Sequence, residues 1–202
     1  VGSEAVLASE NMVFQQHFCD EEARVTALHP FCRNAVGVME FGGCFMNRRL
    51  AKGNKSGTTR RTTDCHELAT TILFQNPIQN FAITPENLLP ESEGGAPKVS
   101  MDFLREVPTV WDETRHIDGY PGKYIVLARR HGQTWYIAAT NATKEPMKLT
   151  LDLSGFVQKG DIATLYSDNA KTREPQKSDL KIRNAKKVTL TILPDGGAVI
   201  VK

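Results

Sequence analysis

The stretch Tyr124–Asn141, YIVLARRHGQTWYIAATN, decides the fold of the second half of the chain. Two runs rich in β-branched and aromatic residues, 124–130 and 134–141, flank the turn-forming residues His131–Gln133. Such runs, separated by a short segment that contains glycine, are typical of a β-hairpin. We therefore predict two antiparallel strands joined by a tight turn.

Further short segments downstream of the hairpin also have the pattern of strands. Leu149, Leu151 and Leu153 are separated by polar residues, Val188–Ile192 repeats this alternation, and 162–166 is another strand-like run. Alternation with a period of two buries one face of a strand. Six or more short strands with tight turns, and without helices between them, predict an antiparallel β-sandwich.

The first hundred residues follow a different pattern. The apolar run Asn34–Phe41 predicts a buried strand, and Glu40 near its end would face a pocket or lie on the rim as a strand-end acid. Asp64–Gln75 carries an apolar stripe at helical spacing; its first residue can cap it, and Glu67 stands at the capping-box position. Thr84–Glu86 opens a second, shorter helix with proline at its first position.

A strand, a loop and two helices are what the closing part of a (β/α)8 barrel contains. A complete barrel needs about 250 residues, so none fits here beside a β domain. We therefore predict a multi-domain α/β plus all-β chain, with the boundary at Pro108. Residues 1–107 would close the barrel, and 108–202 would form the β-sandwich. We expect the helix at 64–75 to need partners outside this chain.

Length and composition exclude several classes of function. The chain has 202 residues, 40% apolar and 24% charged, with a net charge of +2, as in an ordinary globular protein. This charge is too small to indicate binding to nucleic acid or an anionic membrane, and no apolar run has the length of a transmembrane helix. The chain begins at Val1 without an initiator methionine or signal peptide, so we interpret it as a fragment of a longer protein.

A zinc site and a phosphate-binding loop can be imagined in the first third of the chain, but the residue spacings do not favour either. His17, Cys19, His29 and Cys32 could be imagined as a zinc site, but their spacings differ from the usual templates. Buried free thiols are favoured, with disulfides as the alternative in an exported protein. The basic stretch Arg48–Arg61 lacks interleaved aromatic residues and a phosphate-loop pattern, so we predict a solvated loop.

Several other side chains are open to two interpretations. Tyr124, Trp135 and Tyr136 could present aromatic faces to a sugar, but packing within the sheet is favoured. The acidic run Asp20–Glu22 predicts a solvated turn or helix start. His66 lies beside the apolar stripe, and we predict it at the surface.

Near the N-terminus, Ser3–Asn11 places two carboxylates, Glu4 and Glu10, on either side of an apolar run. A carboxyl group held away from water has a raised pKa and can act as a general acid near neutral pH. The two acids would lie on different faces of a helix, or roughly 20 Å apart on a strand, so they share a site only if the chain turns back. The alternative is a pair of exposed loop acids.

The order of the motifs along the chain resembles glycoside hydrolase family 97, the calcium-dependent α-glucosidases and α-galactosidases of bacteria. The segments that carry the resemblance are EAVLASEN at 4–11, HPFCRN at 29–34, GVMEF at 37–41, ELA at 67–69, NPIQ at 76–79, VWDET at 110–114, GKYIVLARR at 122–130 and TWY at 134–136. Four positions depart from the family pattern: Ala5 and Ala8 replace glycines, Val38 replaces a proline and Glu40 replaces an aspartate. They indicate a divergent branch, whose substrate the sequence leaves open.

The resemblance implies a role for each of the two N-terminal acids. Glu10 matches the general acid of an enzyme that cleaves α-glycosidic bonds of oligosaccharides. Glu4 matches a ligand to Ca²⁺, an ion that prefers oxygen ligands. The family's base or nucleophile lies upstream, so the fragment alone is expected to be inactive. Inversion or retention depends on the carboxylate separation and is left open.

The resemblance also implies the setting of the protein. The parent enzyme would be periplasmic or secreted, and its C-terminal β-sandwich would support assembly into a homo-oligomer. No nucleic-acid or membrane partner is expected. The alternative to a catalytic fragment is a non-catalytic carbohydrate-binding or oligomerisation module.

Overall fold

The computed structural model describes residues 9–39 and 42–202, and of Ser9 and Glu10 only the backbone. The described α-helices are α1 (Ser9–Phe14), α2 (Gln16–Thr26), α3 (Arg33–Val36), α4 (Asp64–Leu73) and α5 (Lys98–Glu106). The described strands are β1 (Arg49–Ala51), β2 (Ser56–Thr59), β3 (Glu113–Tyr120), β4 (Tyr124–His131), β5 (Thr134–Asn141), β6 (Met147–Leu151), β7 (Ile162–Asp168), β8 (Pro175–Lys181), β9 (Val188–Ile192) and β10 (Gly196–Val201). Three short 3-10 turns cover His29–Phe31, Pro85–Leu88 and Glu91–Glu93.

A six-stranded antiparallel sheet in the order β3-β4-β5-β10-β7-β8 is the centre of the fold. The predicted hairpin is confirmed: β4 and β5 pair from Tyr124 opposite Asn141 to His131 opposite Thr134. Only Gly132 and Gln133 remain for the turn, and Gly132 has a φ of 58°. A two-residue turn of this kind needs the left-handed conformation that glycine adopts without steric cost.

Alternation along the central strands gives the sheet two apolar faces. Ile125 and Leu127 of β4 pack against the helices, whereas Val126 and Ala128 pack against a two-stranded sheet formed by β6 and β9. The predicted antiparallel β domain is therefore confirmed. The β6–β9 sheet covers one face of the central sheet and completes a small sandwich. Helices cover the opposite face.

Helix α4 is the main element of that helical layer. Thr63 caps it by accepting a hydrogen bond from the His66 backbone N–H, and all ten of its residues are buried. Its apolar stripe, which includes Leu68 and Ile72, lies against β10 and β5. Fully burying one such side chain contributes about 1.5–3 kcal/mol. The predicted helix is confirmed, but the expectation that it lacks partners in this chain is wrong.

The predicted barrel portion is not found in the described residues. The expected strand at 34–41 is a short helix over Arg33–Val36, followed by irregular chain to Met39. The Asn34 side chain accepts a hydrogen bond from the Gln75 N–H and donates one to the Gly37 carbonyl, and these contacts use the backbone groups around the bend. No parallel strand pair occurs among the described residues.

The basic stretch Arg48–Arg61 contains a hairpin, β1–β2, in place of the predicted loop. Asn54 has a left-handed backbone, and its side-chain oxygen accepts hydrogen bonds from the Arg48 and Arg49 N–H groups. An Asn side chain that satisfies two backbone donors in this way stabilises a turn. The hairpin buries Thr58 against the carbonyl of Met12 in α1.

The helical layer and the sheet share one apolar core. Ala27, Leu68 and Phe103 contact the same cluster as Ile125 and Val199, so this core contains residues from both sides of the predicted boundary at Pro108. The boundary itself stays a prediction. In the described part of the chain, no helix is both long and apolar enough to cross a bilayer.

Candidate functional site

The predicted chemistry rests on Glu4 and Glu10, whose side chains are outside the described atoms. Glu10 is in the first turn of α1, but its side chain is outside the described atoms, and Glu4 and Glu40 are outside the described residues. The backbone that follows Glu10 is fixed. The Met12 carbonyl accepts hydrogen bonds from the Thr58 hydroxyl at 2.5 Å and from the Cys19 thiol at 3.4 Å. The helix that carries Glu10 is therefore held to α2 and β2.

Glu22 of α2 and Glu67 of α4 form a buried acid pair close to this anchor. Their exposed fractions are 3% and 0%. Thr62, also buried, lies between them: its hydroxyl oxygen is 3.0 Å from Glu22 Oε2 and 2.5 Å from Glu67 Oε1. The second Glu67 oxygen accepts a hydrogen bond from the Phe45 N–H at 2.9 Å.

The geometry around Thr62 indicates that the pair holds a proton. A hydroxyl carries one hydrogen and can donate it to only one of the two carboxyl oxygens. The other short contact is a hydrogen bond only if the second carboxyl is protonated. In agreement, burial, and secondarily the neighbouring Glu67 carboxylate, raise the pKa of Glu22 well above its usual value.

An ion pair lies beside the acid pair. Arg60, 2% exposed, forms a salt bridge with Asp64 and donates a hydrogen bond to the Phe45 carbonyl at 2.5 Å. Phe45 therefore contacts Arg60 through its carbonyl and Glu67 through its N–H. The Arg60 and Glu67 side chains together fix the backbone at Phe45, just after Gly42 and Gly43. A buried charge of this kind is tolerated only when it is paired and hydrogen-bonded.

The cavity between these groups is small. Its volume is about 10 Å³, and its lining includes Met12, Glu22, Met39, Cys44 and Glu67. Such a volume holds about one water molecule, so a sugar ring does not fit. The buried cluster therefore positions the 42–47 segment through Phe45, and the cavity beside the acid pair is too small to take a substrate.

Sequence reasoning missed most of this cluster. The acidic run Asp20–Glu22, predicted as a solvated turn or helix start, lies inside helix α2. Asp20 and Glu21 are exposed as expected, whereas Glu22 is buried on the same face as Cys19, Ala23 and Thr26. Asp64 and Glu67 do not cap α4, because the salt bridge with Arg60 and the contact with Thr62 engage their carboxylates.

His66 was predicted at the surface and is fully buried, with Nε2 3.2 Å from the Thr26 hydroxyl. Burial lowers the pKa of His66 to about 3, so the ring is neutral at physiological pH. Among the described residues, no group of three His, Cys, Asp or Glu side chains is arranged to hold a metal ion. Three of the four cysteines are free and buried, as predicted, whereas Cys32 is exposed.

The aromatic residues of the hairpin do not form one sugar-binding platform. Trp135 packs against Phe156 on the β6–β9 side of the sheet, with ring centroids 4.8 Å apart. Tyr136 packs against Trp111 on the helical side, at 5.3 Å. Neighbouring residues in a strand point to opposite faces, so the favoured prediction of packing within the sheet is confirmed.

Comparison with known proteins identifies the family. Residues 110–201 match the family model described as the C-terminal, oligomerisation domain of glycosyl-hydrolase 97. The retaining alpha-galactosidase of Bacteroides thetaiotaomicron is 30% identical over 185 residues, which are 88% of this chain and 27% of that protein. The chain belongs to glycoside hydrolase family 97. The resemblance found in the sequence motifs is confirmed.

Three further proteins are similar to this chain. A probable retaining alpha-galactosidase of Streptomyces bingchenggensis is 33% identical over 184 residues, 88% of this chain and 26% of that protein. A crystal structure of a beta-arabinopyranosidase is 61% identical with a TM-score of 0.92, covering 100% of this chain and 31% of that one. A family 97 enzyme from a Pseudoalteromonas strain has a TM-score of 0.68 at 22% identity, covering 93% and 30%, and bears on the fold alone. The chain thus spans about a quarter of the curated relatives it matches.

The protonated acid pair of this family 97 chain predicts how its stability depends on pH. An acid with a raised pKa in the folded state stabilises the fold below its unfolded pKa of about 4.3, and this contribution is lost as the pH rises through the folded value. We therefore expect the acid pair's contribution to the free energy of unfolding to fall from pH 5 to pH 8. Burial lowers the pKa of His29 to about 4 and of His66 to about 3, so these two rings act in the opposite direction, and they do so equally in every variant. Glu22→Gln, which needs no proton, should lose this contribution, so its free energy of unfolding should fall less (or rise more) between the two pH values than that of the wild type, as urea unfolding at pH 5 and pH 8 would measure.

Glu21→Gln is the matched control for this prediction. Glu21 is the neighbouring acid on α2; it is half exposed and pairs with Arg24. Burial raises the pKa of Asp168 to about 6, so Asp168 adds a similar pH dependence in every variant. If Glu22→Gln and Glu21→Gln had the same pH dependence as the wild type, the acid pair would not hold a proton.

Proposed function

We propose that residues 110–201 are the oligomerisation module of a larger family 97 glycoside hydrolase. The observation that carries this proposal is the match of these residues to the family domain described by that role. The geometry supports it, because the β domain has a continuous apolar core between the central sheet and the β6–β9 sheet, made of its own residues. Both edge strands of the central sheet, β3 and β8, are largely exposed.

Sedimentation velocity of the 1–202 chain over a range of concentrations tests the proposed role in oligomerisation. We expect a dimer or larger closed assembly that persists to low micromolar concentration, because specific oligomers are usually closed and symmetric. A chain that sediments as a monomer at all concentrations would contradict the proposed role.

We further propose that the whole enzyme hydrolyses galacto-configured pyranosides with retention. Relatives at 30% and 33% identity carry the name retaining alpha-galactosidase, and the structure at 61% identity is named a beta-arabinopyranosidase. A β-arabinopyranoside of the L series has the ring configuration of an α-galactoside of the D series and lacks only its hydroxymethyl group. One substrate class therefore accounts for both names.

In this proposal Glu10 is the general acid and Glu4 is a ligand to Ca²⁺. The support is the match of 4–11 to the family motif, at the start of a helix that contacts with α2 and β2 hold in place. A carboxylate is the donor type that Ca²⁺ prefers. A bound Ca²⁺ would supply positive charge for orienting the sugar. Glu10 would hold the proton that passes to the glycosidic oxygen as the bond breaks.

Glu4→Gln in the full-length enzyme is expected to weaken calcium binding by about tenfold or more, because a neutral amide replaces a charged oxygen ligand. Calorimetric titration of the metal-free protein would measure the change. Glu21→Gln serves as a control of equal charge change. Unchanged calcium affinity in the Glu4 variant would remove this residue from the metal site.

A further inference from the structure

A second cavity, here called the polar cavity, opens at the surface between hairpin β1–β2, the segment 87–97 and the turn between β7 and β8. Its volume is about 230 Å³, which is below the roughly 300–1,000 Å³ of sites for drug-sized ligands. A ligand of about one sugar ring suits this size. The polar cavity shares Arg60 and Asp64 with the buried cluster.

The floor of the polar cavity is made of buried hydrogen-bonding groups. Arg60, Asp64, Asn47 and Asn87 are exposed by only 2%, 7%, 6% and 4%. The Asn87 amide donates to the Asn47 side-chain oxygen at 2.7 Å, and its own oxygen accepts from the Thr84 N–H, so both amides have a fixed orientation. The Arg60 Nε–H is buried and has no hydrogen-bond partner among the described residues. A buried donor without a partner is costly.

The rim of the polar cavity is held in place by the backbone. Arg48 donates from Nη1 to the Thr62 carbonyl at 3.1 Å. Arg173 has a φ of 62° and donates from Nη2 to the Pro194 carbonyl at 2.9 Å. A positive φ is uncommon and strained for a residue other than glycine. The rim arginines are therefore positioned before any ligand arrives.

The charges of the polar cavity are balanced. Three guanidinium groups and three carboxylates line it: Arg48, Arg60 and Arg173, and Asp64, Glu91 and Glu174. Equal charge gives an anion little net attraction, whereas a hydroxyl group can both accept from a guanidinium and donate to a carboxylate. A neutral ring with several hydroxyl groups therefore fits the lining better than phosphate does.

We infer that the polar cavity is a binding site for a single neutral pyranose. The rim arginines Arg48 and Arg173 donate to the ring hydroxyl oxygens, and the carboxylates of Glu91 and Glu174 accept from the ring hydroxyl hydrogens. Among the described residues, no aromatic side chain lines the cavity, so hydrogen bonds carry the affinity, and a dissociation constant in the millimolar range is expected. The site does not depend on the proposed activity, which only guides the choice of the first sugars to test.

Titration of the ¹⁵N-labelled 1–202 chain with D-galactose and L-arabinose tests the site. We expect saturable shifts of the Gly94, Gly95 and Glu174 amide signals. The double variant Arg173→Asn and Glu174→Gln should bind the sugar at least about tenfold more weakly, because it removes the guanidinium and the carboxylate that would contact the sugar. Asparagine is chosen because it tolerates the left-handed backbone at position 173. Lys171→Ala, an exposed change in the same turn but outside the cavity, should bind as the wild type does.

Two results would overturn this inference. One is the absence of shifts at these amides with galactose, arabinose, glucose or mannose. The other is a set of shifts caused by inorganic phosphate but by none of the sugars. Binding of glucose or mannose in place of galactose would support the site and would count against the substrate class proposed for the whole enzyme.

Discussion

Replacing Glu10 with glutamine in the full-length glycosidase is expected to lower kcat/KM for an unactivated galactoside by about 10²–10⁴-fold. A glutamine of nearly the same shape cannot supply the proton that the departing sugar oxygen needs. A nitrophenyl galactoside has a leaving group that departs without protonation, so its kcat/KM should fall much less. Steady-state kinetics with both substrates would measure the difference.

Glu21→Gln is the control for the Glu10 variant as well, since it removes one exposed carboxylate from the next helix. It should leave both rates close to those of the wild type. If Glu10→Gln also retained wild-type rates on both substrates, Glu10 would not be the general acid, and the role inferred from the motif would be lost.

Gly197→Ala should cost about 3 kcal/mol or more in the free energy of unfolding, at or above the upper end for overpacking of a core. A Cβ at this position of β10 would lie 2.5 Å from the Cys65 carbonyl oxygen and 2.6 Å from the His66 Cα. These atoms are backbone of the buried helix α4 and cannot move without displacing it. The expected fall in melting temperature is on the order of 10 °C.

Gly37→Ala is the matched control for Gly197→Ala. A Cβ at Gly37 would meet no atom of the described residues within 4 Å, and the Gly37 backbone is extended, with a φ of 171°. This variant should melt close to the wild-type temperature. Equal melting temperatures for the two variants would show that α4 does not pack directly on β10. A single cooperative transition is expected in both, because the helices and the sheet share one core.

The period-two and helical patterns predicted the elements that bury one face. The hairpin at 124–141, the alternating strands around Leu149 and Leu190, and helix α4 were found where the apolar residues placed them. The edge strands β3 and β8 were missed. Most of their residues are exposed, and a strand with little buried surface leaves little apolar alternation in the sequence.

What the sequence could not supply was the partner of each apolar face. The stripe of α4 has the same local pattern whether the helix packs in a barrel or on the β domain, so the pattern alone did not select the observed packing against β10. The same limit explains Glu22 and Glu67. A charged residue can be buried only when a proton, a threonine hydroxyl or an arginine compensates its charge. The average tendency of a residue type to lie at the surface or in the core does not include such partners.

We propose that this chain is the C-terminal part of a family 97 glycosidase and that it does not hydrolyse glycosides by itself. Hydrolysis by a glycosidase of this type needs two carboxyl groups roughly 5–10 Å apart across the scissile bond, and only Glu10 is assigned here to one of them. The direct measurement compares the purified 1–202 chain with the full-length protein on nitrophenyl α-galactoside and β-L-arabinopyranoside. We predict turnover of both substrates by the full-length protein and none by the chain. Turnover by the chain alone would contradict the claim and would indicate that Glu40 supplies the missing carboxylate.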